Sequence, residues 1–179
     1  MRIWLFAAAA LLGTAAHFLY EPLGKPRCLV MFLPISESPW EHVKLCVWPL
    51  LAAVAVLAYQ GQIPWPAAVT AGFVGAMHAM AAMLGLHYVV RFGLRGGTPV
   101  LWVDIVTFFL SLASGYWIAL GLLETHIPTG VGLLSAACLL VLAMFFHHGS
   151  LRPPVGHLFQ DLSKGSGNSY GRNQCTKST

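Results

Sequence analysis

Residues 38–59 read SPWEHVKLCVWPLLAAVAVLAY. The stretch opens on a proline and a few ionisable side chains, then runs apolar to its end. A helix that crosses a bilayer needs about 20 mostly apolar residues, and the run from about 40 to 59 has that length. Ser38-Pro39-Trp40-Glu41 has the Ser-x-x-Glu form of a capping box: the serine oxygen takes the Glu41 amide and the carboxylate reaches back to the Ser38 amide. Pro39 falls at the first helical position, where its missing N–H costs nothing. Trp40 suits the aromatic belt of a membrane interface. The stretch predicts a helix that starts at the edge of a bilayer and crosses it.

Four more runs of that kind flank it, at about 3–20, 65–88, 99–123 and 128–146. The breakers EPLGKPR, QGQIP, RFGLRGGTP and ETHIPTG separate the spans. Gly and Ala recur inside them, as in AGFVGAMHAMAAMLG, and small residues let helices approach closely. No internal repeat is visible, and an odd number of spans argues against an inverted one. The composition agrees: of 179 residues, 57% are hydrophobic and 9% charged, with a mean hydropathy of +0.70. A soluble domain carries roughly 25% charged residues, so this chain cannot cover itself with a hydrated surface. The expected fold is all-α, a polytopic membrane bundle of about five transmembrane helices. The bundle occupies residues 1–150, and 151–179 form a tail. The four cysteines are scattered, without metal-ligand or disulfide spacing.

Lys25, Arg27, Lys44, Arg91, Arg95, Arg152, Lys164, Arg172 and Lys177 all fall on one side of a five-span chain, and only Arg2 falls on the other. That bias reads as topology rather than as a nucleic-acid surface. It places the N-terminus outside and the C-terminus in the cytoplasm. A cleaved signal peptide over the first span would invert every later loop, and the same bias argues against it.

Polar groups recur near the cytoplasmic ends of these helices. His17 and Glu21 are spaced i, i+4 and are expected on one helix face. Glu37 and His42 flank the Ser38 cap at the two positions an apolar staple normally fills. His87 and Arg91 close the third span. Asp104 lies early in the fourth, within reach of Arg91 or Arg95, and His147 and His148 end the fifth. Ionisable residues inside a membrane are costly and face the bundle interior or a cavity. His17, Glu37, His42 and Asp104 are therefore expected within one side-chain reach of a common point, with Glu21 and Glu41 in the same layer. Each group also has a plainer role: Glu41 as a helix start, Asp104 as an arginine partner, His17 and mid-span His78 as packed polar contacts, and the terminal histidines as interface groups. In the tail, LRPPVGHLFQDL is extended and partly apolar and is expected to pack under the bundle. The Gly/Ser-rich end reads as disordered.

HFLYE, ESPWEHVKL, VDI and the tail pattern PP…LF.D…YG together resemble a family of small bacterial integral membrane proteins of unknown function. The resemblance covers about residues 11–171 and carries over His17, Glu21, Glu37, Glu41, His42, Lys44, Asp104, Asp161 and Tyr170. It departs at Ser36, where the family has Asn, and in the tail, where VGHLFQDL lacks two prolines. It implies a shared fold and a multi-pass protein of the bacterial plasma (inner) membrane, and it brings no activity.

Three function classes fit these residues. In the first, the polar layer staples helices in a structural or partner-binding subunit, whose partners are the lipid bilayer and another membrane protein. In the second, His17, Glu37, His42 and Asp104 hold a divalent metal such as zinc in a membrane-embedded metal-dependent hydrolase, since neutral His and carboxylates are the ligands zinc takes. In the third, the same groups relay protons in a small proton-coupled carrier or channel.

Overall fold

The computed structural model describes residues 2–24, 26–94 and 101–159, without the side chains of Arg91, Phe92, Leu94, Leu101 and His157. Lys25, Arg95, the tail from residue 160 with Asp161 and Tyr170, and the expected pairing of Asp104 with Arg91 or Arg95 lie outside what is described. The described residues form five long helices and no strand: α1 (Arg2–Leu19), α2 (Pro39–Gln60), α3 (Trp65–Tyr88), α4 (Leu101–Leu123) and α5 (Thr129–Leu151). All five are long and apolar enough to cross a membrane. A π-helical turn, Val89–Leu94, extends α3, and a single 3₁₀ turn, His157–Phe159, follows α5.

Two boundaries differ from the sequence reading. The first helix stops at Leu19, so Glu21 sits exposed in the following turn and does not share a helix face with His17. Pro22 disfavours helical backbone at the residue before it. The last helix runs on to Leu151, one further turn than expected, and this extension carries Ser150.

The most buried helix is α2. It packs on α1, α3 and α4, and α3 packs on α4 and α5. Small residues set the close contacts. A Cβ on Gly75 of α3 would lie 2.7 Å from the Gly115 carbonyl oxygen of α4, and one on Gly115 would lie 2.5 Å from the Gly75 oxygen. The contact between α1 and α2 has a backbone cause. Pro49 lies inside α2 and has no N–H to give to the Leu45 carbonyl four residues earlier. Gly13 of α1 backs against that carbonyl, where a Cβ would come within 2.5 Å of the oxygen. One turn further along α1 stands His17, and less than a turn back along α2 stands His42. The crossing thus brings the two rings together at the same end of the bundle.

That end collects the C-termini of α1, α3 and α5 and the N-termini of α2 and α4, as the pairs His17–Glu37, His87–Asp104 and Lys44–Ser150 show. At the other end Arg2 pairs with Glu124 at 2.6 Å, and the Tyr116 hydroxyl donates to the Arg2 carbonyl. His78 lies on the exposed face of α3 and is not the packed contact its mid-span position suggested. Trp40 is buried. It packs against Phe145 and Phe146 of α5 and against Phe159 of the tail, and Gly149 leaves room for its indole.

Candidate functional site

The segment between α1 and α2 folds down onto the bundle. Val30 and Leu33 are buried. The Trp48 indole N–H donates to the Met31 carbonyl at 2.9 Å, and its ring packs on Phe32. Buried backbone carbonyls need donors, and Lys44 supplies them. Its side chain is fully buried, and its Nζ donates to Val30 O at 2.7 Å, to Glu41 Oε2 at 2.7 Å and to the Ser150 hydroxyl, with Leu33 O a longer fourth contact at 3.4 Å.

Ser38 caps α2 as expected: its Oγ accepts the Glu41 amide at 3.3 Å. The Glu41 carboxylate, however, turns inward rather than back to the cap. Oε2 accepts from Lys44 and from the Ile35 amide at 2.9 Å, and Oε1 accepts from the Ser150 hydroxyl. Ser150 is the residue the sequence reading missed. Lys44 entered as a topology charge and as a residue the resemblance carries over, and its i, i+3 spacing from Glu41 already placed it on the same helix face. Ser150 carried no signal of its own, because its partners are 106 and 109 positions away.

A second, less buried group stands beside this hub. The loop before the Ser38 cap presents Glu37 between two imidazoles. Its Oε2 lies 3.3 Å from His42 Nε2, and its Oε1 lies 3.6 Å from His17 Nε2. The two rings are 5.3 Å apart, centroid to centroid. One ligand atom from each of His17, Glu37 and His42 falls within 4.8 Å of the other two. His42 Nδ1 lies 2.9 Å from the Ser38 carbonyl oxygen. A carbonyl only accepts, so Nδ1 carries a hydrogen, and Nε2 is the nitrogen that faces the Glu37 carboxylate. His17 Nδ1 is buried with no protein partner among the described residues.

Asp104 is not in this trio. Its Oδ1 lies 3.8 Å from His87 Nδ1, and its charge still reaches His42. Glu41 belongs to the hub, and Glu21 lies in the turn after α1. His147 and His148 are exposed at the end of α5.

A family model described as "Family of unknown function (DUF6512)" matches residues 3–171, and the chain belongs to that family. No curated protein and no solved structure matches the chain.

Proposed function

We propose that this chain is a multi-pass membrane protein that binds a divalent metal ion of the zinc type through His17, Glu37 and His42. The spacing of the three side chains carries the reading. Two ligand atoms each about 2.0–2.1 Å from a tetrahedral zinc lie about 3.3–3.4 Å from one another. Glu37 Oε2 stands 3.3 Å from His42 Nε2 and Oε1 3.6 Å from His17 Nε2, and one ligand atom from each of the three residues lies within 4.8 Å of the other two. The Ser38 carbonyl supports His42 as the outer partner of a metal-bound histidine does, fixing its tautomer and orientation.

Burial separates this reading from the structural-subunit one. The stapling role belongs to Glu41, Lys44 and Ser150, which are fully enclosed and join three chain segments. The His17–Glu37–His42 group is partly open, with Glu37 about half exposed, and lies at the bundle end. Two histidines and one glutamate leave a fourth position of a tetrahedral ion for water or substrate. That is the pattern of a catalytic rather than a structural zinc site, and the chemistry the ion would supply is activation of a water for hydrolysis. The Lys/Arg bias supports a cytoplasmic position for this end in a bacterial inner membrane.

Cobalt(II) reports the test directly. Full-length protein in mild detergent is titrated with cobalt and its visible absorption recorded. A four-coordinate band that saturates near one ion per chain, and that disappears in His42→Ala and Glu37→Gln, is expected. A titration without a visible band, or a band unchanged in both variants, overturns the reading.

A further inference from the structure

We infer that Glu41, Lys44 and Ser150 form a clamp that sets where Glu37 stands, making them positioning residues for the neighbouring site. The consequence for metal affinity rests on the proposed reading of that site, whereas the clamp itself does not. Three observations carry it. First, the hub grips the loop that bears Glu37 at three backbone points: the carbonyls of Val30 and Leu33 on Lys44, and the amide of Ile35 on Glu41. The last of these is two residues from Glu37. Second, Ser150 ties the same two side chains to the end of α5, so the loop is held against a helix remote in sequence. Third, Glu41 is the residue before His42, and its amide shares the Ser38 cap whose carbonyl meets the His42 ring. One hub therefore fixes both the loop ligand and the helix ligand. The His17 ligand is held separately, by the Gly13–Leu45 crossing.

Hydrogen bonds around metal ligands orient them, and their loss typically lowers metal affinity 10- to 100-fold. An isolated loop carboxylate has no such support, since ordering a free backbone costs about 1–2 kcal/mol per residue. The clamp orders residues 30–38 in the folded chain, so that Glu37 is already in place when an ion arrives.

The test measures the loop and the ion independently, on full-length protein in detergent. Ser150→Ala removes the link to α5 without leaving a buried charge, and Ser150→Thr keeps the hydroxyl. Ser135→Ala breaks a buried hydroxyl contact between α5 and α3 elsewhere in the bundle and serves as the stability control. Hydrogen–deuterium exchange over residues 29–38 should rise at least tenfold in Ser150→Ala, and stay near wild type in Ser150→Thr and Ser135→Ala. Zinc affinity, measured by competition with a chromogenic chelator, should fall at least tenfold in Ser150→Ala only. Unchanged loop exchange in Ser150→Ala overturns the clamp. A loosened loop with unchanged zinc affinity overturns its positioning role. A wild-type protein that takes up no zinc overturns the reading of the site and not the clamp, which the exchange measurement decides alone.

Discussion

Lys44→Met is the sharpest perturbation the structure offers. The lysine side chain is fully buried and the Glu41 side chain nearly so. Methionine would fill much of the volume and supply no donor. The Glu41 carboxylate would then be buried without its counter-charge, at about 3–5 kcal/mol for a broken buried pair. The Val30 and Leu33 carbonyls would lose Nζ as a donor as well, at about 1–3 kcal/mol for each group left unsatisfied. The expected loss is thus at the upper end, about 5 kcal/mol or more. Glu41→Gln alone should cost about 3 kcal/mol, because it strands the ammonium. Combining the two removes both charges, and neutral replacement of a whole buried pair is often tolerated. The double variant should therefore be more stable than Lys44→Met alone, with a coupling of about 2 kcal/mol or more. Titrating dodecyl sulfate into maltoside micelles and following helix content by circular dichroism measures all four proteins. Additivity within about 0.5 kcal/mol would refute the buried pair.

Ser38→Ala should lower stability by about 1 kcal/mol in the same assay, the usual loss of an N-cap, because Ser38 Oγ accepts the Glu41 amide. Gly75→Leu should prevent close packing of α3 on α4, since even a Cβ would come within 2.7 Å of the Gly115 carbonyl oxygen. Failure to recover folded protein is expected, and a Gly75→Leu chain with wild-type unfolding would contradict the contact. Reporter fusions after residues 61 and 127 should be active outside, and those after 24, 96 and 165 inside, from the Lys/Arg split. An outside signal at residue 24 would reverse the assigned orientation.

The five helices were legible because length and composition decide membrane spans almost alone. The cap was legible because Ser-Pro-x-Glu is a local signal. Glu41 was half legible. Its backbone role followed from spacing, whereas its side chain obeys a long-range contact with Ser150 that no local pattern reports. The proximity of His17, Glu37 and His42 could be expected from shared depth. Its exact cause could not, because it depends on Pro49 freeing a carbonyl for Gly13 to meet. Asp104 shows the limit of depth as a guide: it stands at the same end, yet pairs with His87 on α3. Depth gives the layer, and the helix crossing gives the partner.

The central claim is the metal ion, and elemental analysis of protein purified in mild detergent tests it most directly. Wild-type protein loaded with zinc and freed of excess should hold close to one zinc per chain. A folded His17→Ala/Glu37→Gln/His42→Ala variant should hold almost none. Zinc absent from the wild type, or equal in the two proteins, would contradict it.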